Sequence, residues 1–390
     1  MTSTIDTNTV AAPTIDPPTR RLADWTGRAH DVGVAVAPGV DDRDRSGQLS
    51  ADAFELLRAG GLTSALVPVE FGGGGASHAE VGQALRELAR HDPSTAVALA
   101  MHTHLVAAQV WRHHHGMDAE KVFRKVVDDR AVLISTGASD WVASNGVTRR
   151  VDGGFRVSAR KTPASGCEIG HVVVSSIRWD DAPDGPQVLH FSVPFSADGV
   201  SIERTWDTLG MRATGSHTVV FDDVFVPDAA VSLARPADRW HPIWNTVVGA
   251  AMPLIVAAYL GIADRAVDVA RDAVAGRSEP HLVQLLGEMM NAHTTAVDVG
   301  AGMFLAAENL QFANTDEHAG QMLSRKTVAC VALIDTVRLA LEVTGGAGYS
   351  RSSVIERLYR DVHGCLFHPL PRAKQTQFTG RVMLGLSPLA

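Results

Sequence analysis

The spacing of apolar residues changes twice along this chain, near residue 133 and again near Trp240, and the two switches leave few architectures open. Before the first switch the period is helical. Ser77-His78-Ala79-Glu80 has the capping-box form, in which each side chain satisfies a free amide of the first turn. Val81, Ala84, Leu85, Leu88 and Ala89 follow on one helical face. Asp92-Pro93 ends that helix and starts the next, with Asp92 as cap and Pro93 in the first position, and residues 95–111 stay apolar and helical.

Between the switches the period is that of strands. Residues 147–151, Asp152-Gly153-Gly154 and residues 155–161 have the form of a hairpin, with Phe155, Val157 and Ala159 alternating against Arg156, Ser158 and Arg160. Residues 171–177, 188–193 and 217–225 are further strand candidates, and Pro227 with a loop through Arg239 is expected to close the section. Beyond Trp240, residues 255–274, 282–312 and 324–343 read as long helices. There is no internal repeat. The order predicts an α+β, mainly α fold. Its parts are expected at 1–20 (a disordered arm), 21–131 (helical), 132–236 (β) and 237–390 (helical bundle).

A chain of 390 residues can bury a substantial core over two or three domains. Its net charge of -8 excludes a general nucleic-acid binder, which would carry a basic face. The first twenty residues are rich in Thr, Pro and Asp and lack the basic start and apolar run of a secretory leader. The three cysteines, Cys167, Cys330 and Cys365, are far apart in sequence and suit a reducing cytoplasm. Residues 247–263 are apolar enough to suggest a membrane span, but the stretch contains Pro253 and runs into Asp264-Arg265, so a buried core helix is expected. No metal is expected: the helical neighbours His113, His114 and His115 cannot converge on one ion.

Several strings carry a specific likeness. Pro68-Val69-Glu70-Phe71-Gly72-Gly73-Gly74 precedes the helix that begins at Ser77, and residues 206–227 read WDTLGMRATGSHTVVFDDVFVP. Gly345-Gly346-Ala347-Gly348-Tyr349 is followed by Glu356-Arg357, Arg360-Asp361, Gly380-Arg381 and Leu384-Gly385. In this order they resemble the acyl-CoA dehydrogenase superfamily along nearly the whole chain. The resemblance implies a helical N-terminal domain, a central β-barrel-like domain and a C-terminal four-helix bundle that builds a homotetramer. It also implies a flavin, either FAD or an FMN supplied reduced. Ser135, Thr136, Ser139 and Asp140 would hold the flavin edge and Ser165 its N5 side, while Gly345 and Gly346 of a neighbouring subunit would approach the diphosphate.

The pattern departs from the dehydrogenases where they keep their chemistry. Their glutamate base stands eight residues after the Arg-Asp aspartate, and here that residue is Pro369, with His368 beside it. The alternative base position falls on Ala251-Met252-Pro253, which has no acid. Pro163 replaces an aromatic residue near the flavin hydroxyl, and Gly276-Arg277-Ser278-Glu279 stands in for a longer diphosphate-binding string. The two-component flavin monooxygenases resemble this chain better. They carry a histidine in this stretch, take reduced flavin from a separate reductase, and have a loop similar to Ala164-Ser165-Gly166-Cys167.

Removing an α-proton needs a carboxylate over the substrate, whereas an imidazole near neutral pKa suits proton exchange during oxygenation. The favoured expectation is therefore a flavin monooxygenase acting on a small organic substrate, with His368 as catalytic residue. Two alternatives stay open: an acyl-CoA dehydrogenase with a non-standard base, Glu342 being the nearby acid, and a non-catalytic flavin-binding subunit. His368 can also be read as a helix-terminus histidine bonding a free carbonyl. His102 and His104 stand on the helix expected to border the pocket; two residues apart they face nearly opposite ways, so at most one touches substrate.

Overall fold

Ser77 and Glu80 form the reciprocal cap that their spacing predicts: Ser77 Oγ accepts from the Glu80 amide at 3.2 Å, and Glu80 Oε2 accepts from the Ser77 amide at 2.7 Å. Asp92 caps the next helix through the Thr95 amide at 3.1 Å. Each such cap is worth about 1 kcal/mol. The computed structural model describes residues 24–137 and 140–389; the arm expected at 1–20 and the candidate Ser139 lie outside the described residues. The first part comprises α1 (Trp25–Val36), α2 (Val40–Ser46), α3 (Ala51–Ala59), α4 (His78–His91), α5 (Pro93–His114) and α6 (Glu120–Val127).

The β section is two four-stranded sheets. Its strands are β1 (Leu133–Ser135), β2 (Val147–Val151), β3 (Gly154–Lys161), β4 (Val172–Trp179), β5 (Gln187–Pro194), β6 (Val200–Glu203), β7 (Thr218–Pro227) and β8 (Val231–Pro236). The sheet orders are β1-β4-β5-β8 and β2-β3-β7-β6. The expected hairpin is present, with Val147 opposite Ser158 and Val151 opposite Gly154. The loop expected after Pro227 instead contains β8, paired antiparallel to β5 with Arg235 opposite Val188. The apolar alternation that marks a half-buried strand is missing there, because the buried side chain of β8 is Arg235. Its guanidinium donates to Val142 and Asp140 carbonyls and to His190 Nε2.

The bundle comprises α7 (Ile243–Ala273), α8 (Pro280–Ala306), α9 (Asp316–Gly348), α10 (Val354–Val362) and α11 (Arg372–Met383). Helix α7 begins twelve residues before the expected 255 and continues through Pro253. Its apolar stretch is 94% buried, as a core helix should be. Helices α4 and α7 touch so closely that a Cβ on Gly261 would lie 2.0 Å from the Arg86 carbonyl oxygen. Beside that contact Arg86 makes a two-pronged bond to Asp264, at 2.6 and 2.8 Å, and His293 adds a third at 2.7 Å.

One clasp joins the three parts. Arg360 of α10 grips Asp44 of α2 at 3.0 and 2.6 Å and donates to the Leu209 carbonyl in the β section at 3.1 Å. Its neighbour Asp361 accepts from the Met211 amide at 2.6 Å. The Arg360-Asp361 pair singled out in the sequence is thus what brings the Met211 loop and the C-terminal turn to one place.

Candidate active site

Beyond α10 the chain makes a short 3-10 turn, and the half-buried His368 follows it. Its Nδ1 lies 2.8 Å from the hydroxyl of Tyr259, a fully buried residue in the middle of α7. Burial raises the Tyr259 pKa well above the usual phenol range, so the hydroxyl keeps its proton. His368 is its single hydrogen-bond partner among the described residues. A buried hydroxyl that only accepted would waste its donor, so Tyr259 donates to Nδ1, and the ring proton of His368 sits on Nε2. Burial, aided by Lys326 and His104, lowers the His368 pKa to about 4. The expectation of a near-neutral pKa is therefore corrected: His368 is a neutral ring presenting Nε2–H. Its bond to a phenol, not to a carbonyl, also removes the helix-terminus reading.

Glycine makes this arrangement possible. A Cβ on Gly364 would stand 2.6 Å from the Tyr259 hydroxyl and 3.2 Å from Met211 Cγ. Met211 leads on to the β section. Its carbonyl accepts from Thr214 Oγ1 at 2.9 Å, Thr214 Oγ1 bonds Ser216 Oγ at 2.6 Å, and Ser216 Oγ bonds Ser165 Oγ at 2.7 Å. A run of neighbouring groups thus leads from Ser165 past Met211 and Gly364 towards Tyr259 and His368. The Ser135 and Thr136 segment lies alongside. The next residue, Gly137, abuts Pro163 and the Thr162 carbonyl, and Thr136 Oγ1 bonds Ser175 Oγ at 2.9 Å.

Other candidates lie elsewhere or are already committed. His102 is fully buried, with Nε2 on the Thr63 carbonyl at 2.9 Å and Nδ1 accepting from the Leu133 amide at 3.0 Å. Both nitrogens pin α5 to its neighbours, so His102 is corrected from pocket residue to structural pin. His104 points the other way, as the two-residue spacing requires, and acts electrostatically on His368. Burial lowers the pKa of His104 to about 4, and its buried Nδ1 has no partner among the described residues. The Asp140 carboxylate is paired through Oδ2 with the buried Lys161 at 2.7 Å. No other group among the described residues lies within 4 Å of a Cβ placed on Gly345 or Gly346. Glu342 is bonded to Arg338 on an exposed face of α9.

Tyr259, Thr214, Ser216 and Lys326 were not anticipated. A signal existed for the first: a tyrosine inside an apolar helical run calls for a buried partner for its hydroxyl. The half-buried Ser165 and Thr136, and a buried imidazole nitrogen without a partner, are polar groups suited to the edge of a flavin and a substrate beside it.

Residues 32–126 match the family model for the acyl-CoA dehydrogenase N-terminal domain, and residues 254–371 match that for the C-terminal domain. L-evernosamine nitrososynthase of a Micromonospora species is 30% identical over 390 residues, covering 91% of this chain and 90% of that protein. The probable FMNH2-dependent monooxygenase SfnC of Pseudomonas putida is 26% identical, covering 92% and 93%. Among solved structures, KijD3 in complex with FMN and dTDP-3-amino-2,3,6-trideoxy-4-keto-3-methyl-D-glucose superposes with a TM-score of 0.83 at 27% identity, covering 95% of each chain. The strings along the sequence, the three-part fold and these relatives agree: the chain belongs to the acyl-CoA dehydrogenase superfamily and is a flavin-dependent oxidoreductase of its monooxygenase kind.

Proposed function

We propose that this protein oxygenates the amine nitrogen of a small organic molecule, with an amino sugar carried on a nucleoside diphosphate as the substrate class. The single observation that carries the oxygenase reading is the Tyr259–His368 pair. It puts a neutral hydrogen-bond donor where a dehydrogenase needs a carboxylate base. The amino-sugar assignment draws on the nitrososynthase relative and on the ligand bound to KijD3. Reduced FMN or FAD supplies two electrons to dioxygen, one oxygen atom going to the amine and the other to water.

In this reading Ser165 and Thr136 hold the flavin edge, with Ser135 beside them, and the Ser216–Thr214 hydroxyls fix the direction of Ser165. His368 Nε2–H steadies developing negative charge, and His104 offers its unpaired nitrogen to substrate. The reduced flavin comes from a separate reductase. The working form is a homotetramer in the cytoplasm. Val283, Met290 and Leu305 of α8 and Val328 and Val331 of α9 stand exposed, and a second copy packed on these helices would cover them. Gly345 and Gly346, open in one chain, would then meet a neighbour's cofactor. Three buried free cysteines suit that compartment.

The test is turnover of an amino-sugar nucleotide with FMN, a flavin reductase and NADH, read by mass spectrometry. Gain of one oxygen at nitrogen, labelled from 18O2, is the expected result. Anaerobic bleaching of the oxidised flavin by acyl-CoA thioesters, with no oxygenated amine, would overturn it.

A further inference from the structure

Two of the three cysteines, 35 residues apart in sequence, meet beneath the His368 turn. Cys330 of α9 has its Sγ 3.3 Å from the Cys365 carbonyl, and Cys365 Sγ lies 3.9 Å from the Cys330 carbonyl. These reciprocal contacts set each thiol against the backbone of the other cysteine. Both residues are free and buried, and Cys365 stands three positions before His368. One helical turn before Cys330 is Lys326, also buried, whose ammonium donates to the Leu370 carbonyl at 3.2 Å and has no carboxylate partner among the described residues.

We propose that Cys330 and Cys365 form a peroxide-oxidisable dithiol, with Cys330 as the attacking sulfur and Cys365 as the resolving one. The environment separates the two roles. A hydrogen bond from Cys365 lowers the Cys330 pKa against the opposing effect of burial, and the Lys326 charge adds to the lowering. The Cys365 pKa is raised well above the ordinary thiol value by that same bond and by burial. Cys167 offers the contrast: burial pushes it up to about 11, and its Sγ bonds the Gly215 carbonyl at 3.2 Å.

The chemistry balances. The Cys330 thiolate attacks one oxygen of hydrogen peroxide, the O–O bond breaks, and hydroxide leaves and becomes water, giving a sulfenic acid. The Cys365 sulfur then displaces the sulfenic oxygen as a second water, and an S–S bond forms. Two thiols are oxidised by two electrons and one peroxide is reduced. The local supply of peroxide rests on the flavin–oxygen reading above, since such a site releases peroxide whenever reduction of oxygen outruns substrate. A buried pair admits that small oxidant while excluding glutathione.

The test treats the full-length flavin-loaded protein with added hydrogen peroxide, quenches with an alkylating agent in denaturant, and maps peptides without reduction. The expected result is a Cys330–Cys365 linked peptide that dithiothreitol releases, formed about ten-fold faster than any loss of the Cys167 thiol. In C365S the same treatment leaves a sulfenic acid on Cys330 that a 1,3-dione traps. Alkylation of Cys330 and Cys365 at the rate of Cys167, or no trapped adduct in a folded C365S, would overturn the proposal. A parallel sample oxidises reduced flavin in air with and without catalase. Linkage with added peroxide but none in that sample supports the dithiol and counts only against the oxygen-reducing reading.

Discussion

The two walls of the candidate site are built by different means. On the β side, Ser165, Ser216 and Thr214 share one row of hydroxyls that ends on the Met211 carbonyl, so the bonding is spread over three groups and Thr214 keeps a partner if Ser216 is lost. On the helical side, one bond between residues 109 positions apart, Tyr259 to His368, sets which ring nitrogen carries the proton. The first wall is redundant and suits holding a ligand. The second is a single point of control and suits chemistry.

That contrast can be broken by substitution. His368→Ala should lower productive turnover by about 10²–10⁴-fold while flavin binding stays within about two-fold; equal losses in both would show that the helical wall also holds the cofactor. Tyr259→Phe should cost about ten-fold in turnover and about 1 kcal/mol of stability, because the ring survives but its tautomer is no longer selected. A Tyr259→Phe enzyme as active as its parent would remove the single-point argument. Ser216→Ala should weaken flavin affinity by only about five-fold, as Thr214 keeps the Met211 carbonyl and the half-buried Ser165 can bond water instead. A complete loss of flavin there would show that the β wall is no more redundant than the other.

The smallest effect expected is on pH. A histidine whose pKa is lowered to about 4 is already neutral well below pH 6, so the rate should carry no titration between pH 6 and 8 from His368. Only below about pH 5 should protonation of the ring remove the neutral donor. An acid limb near the ordinary histidine value, lost in His368→Gln, would show that bound flavin or substrate restores the charge.

What the sequence disclosed was local. The Ser77–Glu80 cap, the Asp92-Pro93 junction and the hairpin at Asp152-Gly153 each depend on residues a few positions apart, and each can be read without knowing the fold. Strand β8 was hidden because its inward residue is an arginine, satisfied by carbonyls that only the folded chain brings near. The spacing of His102 and His104 required opposite directions, yet which ring bonded the backbone depended on where β1 passed. The protonation of His368 was misjudged for a related reason. Its pKa follows from burial beside Lys326 and His104, and no nearby residue in the sequence announces either.

The Arg360–Asp44 clasp has a consequence for how the protein is made. Asp44 is translated early and Arg360 follows 316 residues later. At roughly 5–20 residues per second, the carboxylate waits about 15–60 s for its partner while the helical part and the β section leave the ribosome. During that interval the Leu209–Met211 loop also lacks Asp361, so the three parts stay unfastened until nearly the whole chain has emerged. A ribosome stalled before codon 360 would therefore hold a chain with folded pieces and no site, a substrate for chaperones and not yet an enzyme.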